Sequence, residues 1–196
     1  MKLTTQTVQG KQIRPYLEDL ARLRILIFRN YPYLYDGSMD YEKSYLQTYL
    51  QSDDSLAVLV FDGHELVGAS TGVPMSDESE EFRRPFEQQG YRTDEIFYFG
   101  ESVLKKDYRG RGVYRIFFKK RENHVKKLQR FSMVCFCAVE RPDHHPLRPD
   151  HYQPLDPIWK KFGYKKHPEL HTTYSWKEVH EEQESDKKMS FWLKRL

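Results

Sequence analysis

The stretch Tyr98-Phe-Gly-Glu-Ser-Val-Leu-Lys-Lys-Asp-Tyr-Arg-Gly-Arg-Gly-Val-Tyr114 reads as a strand, a tight glycine turn and the start of a helix. In the turn Arg109-Gly110-Arg111-Gly112, glycine lets the backbone reach dihedrals closed to other residues and aim several N–H groups at one point. The helix expected over Val113 to Leu128 adds unpaired amides and the positive end of its dipole, a combination that holds phosphate. Arg109 and Arg111 bring positive charge to the same place. The turn is therefore suited to a phosphorylated cofactor.

Working outward, a chain of 196 residues, 38% hydrophobic and 15% aromatic, is long and apolar enough to fold around its own core, which argues against disorder. One domain spanning 1–196 is expected, because neither an internal repeat nor a dividing linker is present. The formal charge of +3 is too small to imply a nucleic-acid partner. Its distribution is uneven: Lys105 to Arg130 is basic, and Glu178 to Asp186 is acidic. The basic block covers the turn and its helix, where it attracts a polyanion or forms a solvated helix face. Cys135 and Cys137, two apart in a strand-like run, share a face and cannot bridge to each other. They read as reduced core residues, as in a cytoplasmic protein. The N-terminus lacks an apolar signal core, and no apolar run reaches membrane-spanning length, so a soluble protein is expected.

Along the chain, Leu3 to Val8 alternates as a first strand, and Ile13, Tyr16, Leu17, Leu20, Leu23 and Ile27 recur at helical spacing. Tyr31 to Gly37 breaks that helix, and Tyr41 to Gln51 resembles a second. Ser55 to Thr71 reads as a hairpin turning at Asp62-Gly63. A polar excursion from Ser76 to Gln89 holds a short helix, and Glu95 to Leu104 is the next strand. Phe131 to Val139 is the near-continuous apolar run of a central strand. Leu155 to Phe162 forms a short helix stopped by Gly163, and strands near His171 to Trp176 and Met189 to Lys194 flank the acidic run.

This order of elements, with the Arg109-Gly110-Arg111-Gly112-Val113 turn between strand and helix, resembles the GNAT superfamily of acyl-CoA-dependent N-acyltransferases. The segment Asp156-Pro-Ile-Trp-Lys-Lys-Phe-Gly-Tyr164 is similar to that family's later helix and its closing aromatic–glycine–aromatic pattern. The resemblance implies an α/β fold: a GNAT-like single domain with a central, mixed, mostly antiparallel sheet of about seven strands flanked by helices. It implies acetyl-CoA as acyl donor, with Arg109, Gly110, Arg111, Gly112, Val113 and Tyr114 around the pyrophosphate. It also implies that the backbone of Val103 and Leu104 holds the pantetheine arm and polarises the thioester carbonyl. Tyr114 departs from the family's small residue, and Trp159 stands where many members carry an acid-capable tyrosine.

Glu101, in the strand before the turn, is the first choice for the general base, because burial raises a carboxylate's pKa toward a useful range. A salt-bridged structural carboxylate is the alternative. Tyr98 and Glu95 are neighbouring candidates for substrate contacts, or else core and strand-edge residues. The loop Glu140 to Pro154, rich in proline, histidine and arginine, reads as a rigid cover for the acceptor site, with Arg141, Arg148, the histidines and Tyr152 contacting substrate; a surface crossover explains it equally. Its histidines and aspartates fit no standard zinc spacing. The leading expectation is a GNAT-type enzyme transferring an acetyl group to a primary amine of a small molecule or protein. The alternatives are a non-catalytic acyl-CoA-binding regulatory or scaffolding module and, less well supported, an RNA-binding protein. A C-terminal strand could pair across a homodimer, although Phe191 and Trp192 suit the protein's own core.

Overall fold

The computed structural model describes residues 2–196. The chain runs β1 (Thr4–Gln9), a 3-10 turn, α1 (Leu17–Phe28), α2 (Met39–Tyr45), α3 (Gln47–Gln51), β2 (Leu56–Asp62), β3 (Glu65–Pro74), α4 (Glu80–Gln88), β4 (Ile96–Tyr98), β5 (Ser102–Leu104), α5 (Val113–Leu128), β6 (Met133–Val139), α6 (Asp156–Lys161), β7 (Lys165–Lys177) and β8 (Glu184–Arg195). The eight strands form one sheet in the order β1-β2-β3-β4-β6-β8-β7, with β5 pairing β3 off that path. Only the β4–β6 pairing is parallel among the named strands.

Alternation along the central strands sends side chains to two cores. On one face Tyr98, Val103, Cys135 and Cys137 pack with Leu20, Leu23, Leu46 and Phe86. On the other, Phe97, Phe99, Val134 and Phe136 pack with Val113, Phe117 and Val125 of α5. Both cysteines are buried and free, as their spacing predicts. Helices thus cover both faces of a mixed sheet.

Two expectations need correction. The strand expected over Glu95 to Leu104 is interrupted: β4 ends at Tyr98 and β5 begins at Ser102. Between the two pairings with β3 the register shifts by one residue, the mark of a bulge. The hairpin turns at Gly63-His64 rather than Asp62-Gly63, since Asp62 and Glu65 are paired and Gly63 takes the left-handed φ of 61°. The C-terminal strand β8 lies between β6 and β7, so both its edges are paired within the chain. Phe191 and Trp192 accordingly belong to the protein's own core. No helix among the described residues is long and apolar enough to cross a membrane.

Candidate active site

The glycine turn is open. Gly110 and Gly112 take φ of 75° and 78°, and a Cβ on either would meet nothing within 4 Å. Conformation, not crowding, therefore requires glycine at both positions. The Arg109 amide closes on the Lys106 carbonyl, and the helix ladder begins with Arg115 and Ile116 donating to Gly112. Among the described residues, no backbone acceptor is assigned to the amides of Gly110, Arg111, Gly112, Val113 or Tyr114. Five consecutive free N–H groups at a helix start are an anion cradle. Arg109 bends back to the Leu104 carbonyl, Arg111 lies over the Tyr108 ring, and the Tyr108 hydroxyl donates to Asp62 at 2.9 Å, which ties the turn to the hairpin. These unpaired amides fit a diphosphate group such as that of CoA.

At the other end of β5 the sheet opens. β4 follows β6 as far as Tyr98 and Cys135, and Phe99 makes a last amide bond to Cys135. β6 continues to Val139 with β8 as its partner, while β5 keeps only β3. The bonds Lys105–Val67 and Thr71–Glu101 bracket the β3–β5 ladder and direct the Val103 amide at Ala69. The Leu104 amide therefore faces the side of β5 that carries no strand. Of the two residues expected to polarise a carbonyl, the register leaves that free amide to Leu104. Gly100, in the bulge, is held by close approach: a Cβ there would lie 2.0 Å from the Tyr49 hydroxyl.

Glu101 emerges from this bulge, buried, with Arg24 of α1 donating to its Oε2 at 2.5 Å. Arg24 also pairs with Glu42 of α2, so one enclosed guanidinium serves two carboxylates. Burial raises the Glu101 pKa; Arg24 opposes that shift and Glu42 adds to it. Glu101 Oε1 and Glu42 Oε1 are both buried without a hydrogen-bond partner. A third buried carboxyl, Glu78, accepts from the Ser79 amide through one oxygen and leaves the other unpartnered. Burial pushes its pKa up to about 7. Glu101 is thus salt-bridged, as the structural alternative requires; its second oxygen has no hydrogen-bond partner but is buried, and Glu101 is not among the residues that line the neighbouring pocket.

Arg24, Glu42 and Gly100 open onto a pocket of about 640 Å³ of atom-free space, part of it open to solvent. Its walls are aromatic, chiefly Phe28, Tyr33, Tyr45, Phe82, Tyr174 and Trp176. Tyr98 also lines it and is hydrogen-bonded with Cys137 Sγ at 3.0 Å. Arg148 and Tyr152 do not line it. Arg148 pairs with Asp143 and lies over the Tyr152 ring, whose edge packs on Tyr31 at 4.6 Å. Arg141 is the loop residue that reaches toward the site, donating to the carbonyls of Pro32 and Tyr33 and to Glu178. His144 and His151 of that loop are exposed, and the trio whose ligand atoms converge is Glu178, His180 and Glu181, with Glu178 already paired to Arg141 and Lys187.

Tyr114 and Trp159, the two departures from the expected motifs, meet each other: the indole Nε1 donates to the Tyr114 hydroxyl at 2.9 Å, joining α6 to α5. Arg24, Glu42 and Glu78 escaped the sequence analysis. For Arg24 a signal existed, because it lies four residues after the buried Leu20 and next to Leu23 on the apolar side of α1. Arg121, within a helix face expected to be solvated, is also buried. It donates to the Thr71 and Glu101 carbonyls at the bulge, with Phe99 and Phe118 against its guanidinium.

A mixed sheet that parts at a bulged central strand, with an amide-rich turn after that strand, is the fold of the GNAT acetyltransferases. NAA60 of Arabidopsis thaliana in complex with acetyl-CoA is similar with a TM-score of 0.64 and 13% identity, over 100% of this chain and 99% of that one. The ribosomal-protein-alanine N-acetyltransferase of Brucella melitensis gives 0.63 and 11% over 98% and 99%. An acetyltransferase of the GNAT family from Streptococcus pneumoniae gives 0.59 and 11% over 100% of both chains. No family model and no curated protein matches the sequence. At these identities the likeness is one of fold.

Proposed function

We propose that the protein is an acyl-CoA-dependent N-acetyltransferase that moves the acetyl group of acetyl-CoA onto a primary amine by direct attack. The observation that carries this reading is that one interrupted strand has both ends prepared: free amides after Leu104, and a buried acid with a free oxygen at Glu101. The amides of Gly110 to Tyr114 hold the pyrophosphate, flanked by Arg109 and Arg111. The Leu104 amide donates to the thioester oxygen as negative charge builds there. Glu101 accepts the surplus proton of the amine, directly or through a water. The amine nitrogen bonds to the carbonyl carbon and the carbon–sulfur bond breaks. The leaving thiolate takes its proton from water, because the indole of Trp159 is no acid.

The test is calorimetric titration of the protein with acetyl-CoA and with CoA, followed by thiol release in the presence of amines. Micromolar binding of both and amine-dependent release are expected; binding of neither removes the transferase reading. The Tyr114–Trp159 bond favours one second reading, an acyl-CoA-binding module without turnover. Tight binding with no thiol release from any amine would establish that instead.

A further inference from the structure

Resting on the acceptor side of that reading, we propose that the acceptor is a small cationic amine with an aromatic or apolar body, not the end of a polypeptide. Three independent observations point there. First, the pocket's chemistry is that of a cation box. Aromatic faces attract cations; Phe28 and Tyr45 already lie against the Arg24 guanidinium and Trp176 against Lys187, which leaves Tyr33, Phe82 and Tyr174 in the walls with Glu42, and Glu42 shares that guanidinium with Glu101. Each of these two carboxylates keeps a buried oxygen with no hydrogen-bond partner, of the two only Glu42 lines the pocket, and an ammonium brings up to three N–H donors.

Second, the backbone groups that a peptide would use are already taken. The segment after α1 is sewn to the end of β7: Asp36 donates to the Lys177 carbonyl at 2.9 Å, and Val179 donates to the Leu34 carbonyl at 2.8 Å. Trp176 Nε1 adds a bond to the Tyr33 carbonyl, and Arg141 fastens the same segment to Glu178. A polypeptide acceptor gains affinity by lying along a free strand edge or between parted loops. At this rim the end of β7, at Lys177, and the two residues after it are occupied by the protein itself, while the edge of β7 before them pairs with no strand.

Third, the same enclosure continues on the outer side, where the hydroxyls of Tyr41 on α2 and Tyr174 on β7 are hydrogen-bonded to each other. Of the atom-free space of about 640 Å³, which includes open solvent, about 100 Å³ is cavity, room for a compact group rather than for several residues of a chain.

Titrations of the intact protein without any acyl donor, followed by tryptophan fluorescence and melting temperature, test this. The probes are 2-phenylethylamine, its uncharged counterpart 2-phenylethanol, and a C-terminally amidated tetrapeptide of alanine with a free N-terminus. The amine should bind at least about tenfold more tightly than either of the others. Tyr174→Ala should weaken amine binding at least about fivefold while acetyl-CoA affinity stays within about twofold. Peptide or alcohol binding as tight as the amine's, or no amine binding at all, overturns the inference. Amine binding without acetyl-CoA binding would remove the donor half of the proposed function and leave this inference standing. Acetyl-CoA binding with the peptide preferred would do the reverse.

Discussion

The turn Arg109–Tyr114 and the pocket around Arg24, Glu42 and Glu101 are built in opposite ways. The turn is made by six consecutive residues, Arg109 to Gly112 are exposed, and a Cβ on either of its glycines would meet nothing within 4 Å. Its chemistry comes from backbone conformation and from two arginines within the turn itself. The pocket draws on residues from Arg24 to Met189, and its charges balance only when α1, α2 and the bulge are all in place. A local site can be damaged without loss of the fold. A site assembled from buried charges cannot, because its members also hold the core together.

The sharpest way to break this contrast is to remove the shared cation. Arg24→Met leaves Glu42 and Glu101 buried without a counter-charge, and uncompensated buried charge costs about 3–5 kcal/mol. Urea unfolding should register that loss, larger at pH 8 than at pH 5, because burial raises the Glu101 carboxyl and its protonation relieves part of the charge. An unchanged midpoint would make the pocket as independent of the fold as the turn.

Glu78 comes next. Its carboxyl is raised from the ordinary 4.5 to about 7, so the native state favours the protonated form. The stability this contributes is fully present below pH 4.5 and is lost as pH rises through about 7, a change of about 3 kcal/mol across the window. Glu78→Gln should flatten the stability of the protein across that window, measured by urea unfolding at a series of pH values.

The turn should behave differently. Gly112→Asp puts a carboxylate beside the pyrophosphate and a side chain at a φ of 78°. Acetyl-CoA affinity should fall by about a hundredfold in calorimetric titration, while unfolding stability drops by only about 1–2 kcal/mol. If both fell together by the larger amount, the turn would prove to be part of the core.

Glu101→Gln separates the two sites most gently. Turnover at neutral pH should drop at least about tenfold, with acetyl-CoA affinity within about twofold. The wild-type rate should rise with pH as the raised Glu101 carboxyl ionises, and the variant should lose that limb. A variant with the wild-type profile would move the base elsewhere.

What was legible in the sequence follows the same division. The α5 boundaries, the opening glycine turn and the two-face alternation of β6 rest on neighbours in sequence, where propensity and periodicity act. The interruption between Tyr98 and Ser102 was not legible, because a run of apolar and small residues reads as one strand whether or not it carries a bulge. The placement of Arg148 and Tyr152 outside the pocket, and of Arg141 at its rim, depends on how one loop lies against Tyr31 and Glu178. Nothing in the loop's own residues selects between these arginines.

By itself the sequence determined the mixed α/β fold and the open glycine turn before α5, because each follows from local dihedral freedom and the spacing of apolar residues. Only the tertiary structure decided that Arg24, Glu42 and Glu101 share one enclosure and that Tyr114 meets Trp159. It also decided that the segment after α1 closes on the end of β7 between Lys177 and Val179. Charges and hydrogen bonds between residues far apart in the chain acquire their energies from burial and distance, and both exist only once the sheet and its helices have closed.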